Sequence, residues 1–238
     1  MTFPFPYTAR LVNVNPVSDS YLILEFQKPK GFEFKAGQHV TFQLKDEAGI
    51  FHRTYSIASP PSSKTRLEFC IQVQDDARSS TLFGILEKGT FVEMTSARGN
   101  FQIQDPAKTL LFIAGGSGIS PLRSMIHELL NLVNPPQIYL LYGCREAKAI
   151  PFLEELGRLP IHALFFAESL ESGVAAPPGP SIQVHPGRVD AGFELESNLL
   201  SKPSHFYLCG PTSMLNAIEN LLLDRGITPD LIHFEHYG

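Results

Sequence analysis

Thr109-Leu-Leu-Phe-Ile-Ala-Gly-Gly-Ser-Gly-Ile-Ser-Pro121 decides how this chain is read. Thr109–Ala114 carries no charge, Gly or Pro, the short continuous run expected of a parallel strand covered on both faces. Gly115, Gly116 and Gly118 then make a tight turn with bare backbone, which lets a phosphate approach the N–H groups directly. Ser120 is placed to cap a helix and Pro121 to open it, because the first helical residue needs no N–H. The pattern predicts that helix from Leu122 to about Val133, with its positive end facing the turn. Strand, glycine turn and helix start together describe a diphosphate site. Proline stands where the third glycine of G-x-G-x-x-G would be, so the turn alone also fits an ordinary strand–helix connection.

Working outward, the same grammar repeats. Strands are expected at Gln137–Tyr142, Ile161–Ala167, Phe206–Cys209 and Leu231–Phe234, with helices at Ile150–Leu156 and Thr212–Arg225. Such alternation implies a doubly wound α/β domain with a parallel sheet over residues 105–238. The stretch Glu168–Pro186, rich in Pro, Gly, Ser and Ala, is expected to be a mobile loop over the nucleotide. Residues 1–104 read differently. Tyr7–Asn15, Tyr21–Gln27, His39–Leu44, Arg53–Ala58, Arg66–Val73 and Phe91–Thr95 are short strands, with a helix at Ser79–Leu86. Pro16-Val-Ser-Asp is the expected turn between the first two. Their spacing suggests a small antiparallel β-barrel or sandwich.

Composition narrows the function classes. The chain has 238 residues, 43% hydrophobic and 18% charged, which are globular values for one or two domains. A net charge of −5 without a Lys/Arg cluster offers no nucleic-acid footprint. No apolar run reaches the ~20 residues of a membrane span, and the N-terminus lacks the character of a signal peptide. Cys70, Cys144 and Cys209 are too scattered for a disulfide framework or an iron–sulfur site, and the eight histidines show no metal-ligand spacing. A cytoplasmic protein with no bound metal is the expectation.

Two further stretches carry chemistry. In Arg53-Thr-Tyr-Ser56, strand alternation sends Arg53 and Tyr55 to one face and Thr54 and Ser56 to the other. An arginine fork suits a phosphate, a tyrosine ring stacks on a planar heterocycle, and a serine hydroxyl can donate to a ring nitrogen. A half-buried strand with a surface ion pair is an equally simple reading of those residues alone. Leu208-Cys-Gly-Pro211 ends another parallel strand at the carboxyl edge that carries Gly115–Gly118, the edge where ligands sit in such sheets.

Taken together, Arg-x-Tyr-Ser, Gly-Gly-x-Gly-x-x-Pro and Cys-Gly-Pro-x-x-Met, in this order after a β domain, resemble the ferredoxin–NADP reductase superfamily. The terminal Glu235-His-Tyr237 is similar to that family's Glu-x-aromatic ending. The resemblance implies an N-terminal flavin-binding barrel, a C-terminal NAD(P)-binding domain and a flavin in the cleft between them. It places Arg53 on a flavin phosphate, Thr54 and Tyr55 along the flavin, and Ser56 at its N5 region. It also places Cys209 near the nicotinamide C4, Glu235 near the reaction centre as a polar partner, and Tyr237 among the cofactor-binding residues. Gly115, Gly116, Gly118, Pro121, Gly210 and Pro211 would shape the dinucleotide site. A second flavin motif falls on Asp76–Leu82, bringing in Ser79, Ser80 and Thr81 at a helix start. Asp76 stands where the family has glycine, with Arg78 available to offset its charge. FAD is favoured over FMN.

The function so implied is a monomeric NAD(P)H oxidoreductase. It passes hydride to FAD and then single electrons to a ferredoxin, flavodoxin or iron–sulfur oxygenase component, which would be a separate protein or an omitted segment. Two alternatives stand beside it: a reductase using free flavin as substrate, and a non-catalytic nucleotide-binding subunit of a larger complex. Arg145 beside Glu146 tilts the donor towards NADPH over NADH, since an arginine suits the 2′-phosphate.

Overall fold

The computed structural model describes residues 4–73, 78, 83–84, 86–170, 183–196, 199–200 and 205–237. Two six-stranded sheets organise it. The first is antiparallel and consists of β1 (Tyr7–Ser18), β2 (Tyr21–Gln27), β3 (His39–Asp46), β4 (Gly49–Ser56), β5 (Arg66–Gln72) and β6 (Phe91–Met94), in the order β4-β3-β6-β1-β2-β5. It curls so that the edge strands β4 and β5 approach each other, around a core in which Phe26, Phe42, Phe69 and Phe83 pack ring against ring. The strand β1 runs three residues past its expected end. Pro16, expected in a turn, stays in the ladder because a register irregularity between Pro16 and Ser18 absorbs its missing N–H.

The second sheet is parallel throughout. It comprises β7 (Leu110–Gly115), β8 (Ile138–Glu146), β9 (His162–Ser169), β10 (Val184–Pro186), β11 (His205–Pro211) and β12 (Ile232–Tyr237), in the order β10-β9-β8-β7-β11-β12. Every residue of β7 is buried, as a central strand covered on both faces requires. Leu110, Phe112 and Ala114 belong to the buried cluster shared with α1 (Ile119–Leu130). Leu111 and Ile113 belong to the one shared with α4 (Thr212–Asp224).

Several expectations need correction. The helix behind the glycine turn begins at Ile119, with Gly118 in the capping position, so Ser120 is inside the first turn and is not the cap. Pro121 is accordingly the third helical residue. The expected helix over 150–156 shrinks to α2 (Leu153–Leu156), because Pro151 and the left-handed Phe152 at φ 59° interrupt it. The expected loop 168–186 loses both ends, to β9 and to the unforeseen β10, while residues 171–182 lie outside the described ones. A short α3 (Gly192–Leu195) was also not foreseen. Of the expected helix at 79–86, residues 79–82 and 85 lie outside the described set; Phe83 and Gly84 are helical, as is Arg78 just before it.

Candidate active site

The two sheets meet at one carboxylate. Ser56 Oγ donates to Glu235 Oε2 at 2.8 Å, and His39 Nδ1 lies 3.3 Å from Glu235 Oε1. His39 and Ser56 are cross-strand partners on β3 and β4, so their side chains share one face and meet the two oxygens side by side. Glu235 on β12 is in register with Cys209 on β11, which is in register with Ala114 on β7. This row lies at the carboxyl ends of the parallel strands, where open α/β sheets bind their ligands. Gly99, at φ 109°, lies against the His39 ring; a Cβ there would stand 3.1 Å from Cε1 and Nδ1. A cleft of about 430 Å³ opens beside these residues, lined by His39, Gly99, Phe101, Gln102, His233 and Glu235 among others.

The other face of β4 carries Arg53 and Tyr55. Tyr55 is half-buried, edge-on to Phe83 at 5.7 Å, and also packs on Phe42. Thr54 is on the Ser56 face and shares a hydrogen bond with Thr41, 2.8 Å between hydroxyl oxygens. The exposed Arg53 guanidinium stands 5.4 Å from the centre of the Phe51 ring and donates to the His52 carbonyl. Arg78 lies 4.1 Å from the same ring, but its charge is held by a two-pronged pair with Asp46. Two guanidinium groups therefore stand against one aromatic ring, and among the described residues no carboxylate pairs with Arg53. That arrangement fits a flavin phosphate. The strand β4 is a sheet edge, so no described strand covers its outer backbone groups. Ser79, Ser80 and Thr81 lie outside the described residues.

On the nucleotide side the glycines have a use the sequence did not reveal. A Cβ on Gly115 would stand 2.6 Å from Met214 Sδ, and one on Gly118 would stand 2.2 Å from the Cys209 carbonyl oxygen. Bare backbone is needed there because the glycine turn at the end of β7 packs directly on Cys209-Gly210-Pro211 at the end of β11. Gly116, at φ 56°, faces Tyr21 of the first sheet; its Cβ would be 2.7 Å from the hydroxyl. The Ser120 hydroxyl, in the first turn of α1, is buried and has no hydrogen-bond partner among the described residues. Such an orphaned polar atom behind a glycine turn fits a site completed by a polar ligand. Cys209 is fully buried, in the same cluster as Phe101, Ala114 and Ile119. Tyr237 ends β12, in register with Pro211. Arg145, exposed near the end of β8, stands beside Glu146, which Lys148 pairs at 3.3 Å.

His39 and Arg123 were missed in the sequence. Each owes its importance to partners far along the chain, and no local pattern marks either. Among the described residues, no cluster of three or more His, Cys, Asp or Glu could hold a metal, and no helix is long and apolar enough to cross a membrane.

The family description "Oxidoreductase FAD-binding domain" matches residues 8–103, and "Oxidoreductase NAD-binding domain" matches residues 112–220. Ferredoxin–NADP reductase B of Sorangium cellulosum (strain So ce56) is 30% identical over 244 residues, covering 98% of each chain. The reductase component of propane 2-monooxygenase from Rhodococcus jostii (strain RHA1) is 27% identical over 96% of this chain. This chain spans only 62% of that protein. A ferredoxin NADP+ reductase from Neisseria gonorrhoeae, solved with bound FAD and NADP, superposes with a TM-score of 0.79 at 20% identity, covering 97% of this chain and 98% of that one. The ferredoxin reductase in carbazole 1,9a-dioxygenase gives 0.82 at 20% identity, over 97% of this chain and 69% of its own. At such identities these two likenesses are of the fold.

Proposed function

The chain belongs to the ferredoxin–NADP reductase family, and from that premise we propose that it draws hydride from NADPH at the Ser56–Glu235 junction and delivers electrons singly to a ferredoxin, flavodoxin or oxygenase component. It is an NAD(P)H-dependent flavoprotein oxidoreductase with FAD- and NAD-binding domains. We read residues 1–104 as the flavin part and 105–238 as the nucleotide part, acting as a monomer. When bound, the flavin supplies the conversion of a two-electron donor into one-electron steps.

The single observation that carries the proposal is the Ser56–Glu235–His39 contact, which joins the two sheets at their ligand-binding ends. Arg53, beside the Phe51 ring, binds a flavin phosphate, and Tyr55 lines the flavin's flank. Gly115, Gly116 and Gly118 with the start of α1 take the dinucleotide diphosphate, while Gly210 and Pro211 bound the nicotinamide end beside Cys209. Ser56 would present its hydroxyl oxygen to the flavin ring, and Glu235, accepting the Ser56 hydrogen bond at Oε2, would hold that hydroxyl in place. His39 holds the other oxygen and borders the open cleft, which gives protons a way to water. With Glu146 paired by Lys148, Arg145 is the charge left to meet a 2′-phosphate.

Anaerobic mixing of the purified protein with NADPH and with NADH tests this. A yellow protein whose two flavin bands bleach faster with NADPH supports it. A colourless protein that instead turns over added FMN or riboflavin would replace it with the free-flavin reaction. A bound flavin that neither dinucleotide bleaches would end it.

A further inference from the structure

We infer that Arg123 is a positioning residue for hydride transfer, a single guanidinium that sets the distance between the flavin segment and the dinucleotide turn. The inference rests on the reading of the two sites given above. Arg123 sits on α1, two residues after Pro121, and is 6% exposed. Its Nη1 donates to the Ala58 carbonyl at 2.8 Å and to Glu68 Oε2 at 2.9 Å, both in the first sheet's half of the molecule. Its Nε and Nη2 donate to the two oxygens of Glu155, each at 2.8 Å, in the other half. The Phe152 ring centre lies 4.2 Å from the guanidinium carbon. Next door, Ser124 Oγ donates to the Ser59 carbonyl at 2.8 Å. Ala58 is two residues beyond Ser56. One planar group thus connects the strand end that carries Arg53–Ser56 to the helix behind Gly115–Gly118.

Stability does not by itself explain such an arrangement. Removing a guanidinium from water is costly, and a buried ion pair often does no better than an apolar side chain of similar volume. Glu68 and Glu155 keep 25% and 35% of their side-chain surface exposed, so neither is stranded in a dry interior if Arg123 is replaced. What the fork supplies is direction. Its donors lie in one plane at fixed angles, so satisfying Ala58, Glu68 and Glu155 together leaves little freedom in how the halves sit. A lysine cannot meet that set. Hydride transfer is where such rigidity counts, because a misplacement of about 1 Å can cost roughly 100-fold in rate.

The experiment compares holoenzyme carrying Arg123→Met and Arg123→Lys with wild type. Four quantities are read: FAD content, dinucleotide Kd, the rate of flavin bleaching at saturating NADPH, and the long-wavelength charge-transfer absorbance of stacked nicotinamide and flavin rings. Amide hydrogen exchange over residues 57–70 is followed in parallel. In Arg123→Met the bleaching rate should fall at least about tenfold and the charge-transfer band should weaken. Exchange over 57–70 should speed up, while FAD content and Kd stay within about threefold of wild type. Arg123→Lys should resemble the methionine variant, since charge without the fork does not fix direction. A wild-type rate, band and exchange pattern in Arg123→Met overturns the inference. If that variant fails to fold or loses FAD, the lysine variant decides, and wild-type behaviour there overturns the inference equally. Wild-type protein that neither dinucleotide bleaches would refute the underlying site reading, whereas unchanged exchange over 57–70 would refute the role of Arg123.

Discussion

Glu235 is the residue on which the proposed chemistry turns, because one carboxylate holds both Ser56 and His39. Glu235→Gln keeps the size but removes the charged acceptor that holds Ser56 and His39 in place. The bleaching rate with NADPH is expected to fall about 100-fold with little change in dinucleotide Kd, the scale of a misplacement of about 1 Å at the reacting centre. Stopped-flow absorbance reads it, and a wild-type rate would remove Glu235 from the reaction centre. Arg145→Ala should raise the KM for NADPH about 10- to 100-fold and leave that for NADH unchanged, the loss of one charge-assisted hydrogen bond worth ~1.5–3 kcal/mol. Equal effects on both donors would remove the argued preference. Ser56 and Glu235 were legible through their motifs. His39 was not, since its partner lies 196 positions away and nothing in Gly-Gln-His announces it.

At the scale of elements, the glycine turn after β7 and the last residues of β11 behave as one packed unit. Gly118→Ala would drive a methyl to 2.2 Å from the Cys209 carbonyl oxygen and 2.7 Å from the Gly210 nitrogen. Both are backbone atoms, which cannot swing aside as a side chain would. A loss of about 1–3 kcal/mol is expected, read as a lower denaturant midpoint. An unchanged midpoint would mean that the turns do not pack as described. The strand β7 was legible because a fully buried strand is apolar throughout. The three-residue β10 and the four-residue α2 and α3 are too short to show a period, so tertiary packing alone holds them. Ser120 was misread as a cap because the helix takes its first residues from the end of the glycine turn.

Across the whole molecule, the two halves are joined by charged groups as well as apolar contact, and the cluster around Arg123 gives the fold a pH dependence. Burial pushes the Glu155 carboxyl up. Hydrogen bonds from His127 at 2.5 Å and from Arg123, with the Arg123 charge, outweigh it and hold the group at about 2. Because that lies below the ordinary value of 4.5, the fold favours the ionised form. Its stabilisation is complete above 4.5 and is withdrawn as pH falls towards 2. Denaturation midpoints of wild type should therefore drop across that window more steeply than those of Glu155→Gln; parallel curves would show that Glu155 does not couple there. Tyr21, buried against Gly116 at the same junction, has its hydroxyl pushed up to about 12 by burial, reinforced by Cys70 and Cys144. By itself the sequence determined the two kinds of sheet, the glycine turn, the Arg-x-Tyr-Ser strand and the family resemblance, because each is written in residues a few positions apart. Only the tertiary structure decided that Glu235 meets Ser56 and His39, that Arg123 bonds to both halves, and that Gly118 is needed for packing against Cys209. Those facts depend on how two sheets dock, and a lone arginine, histidine or glycine carries no local mark of the distant groups that docking brings to it.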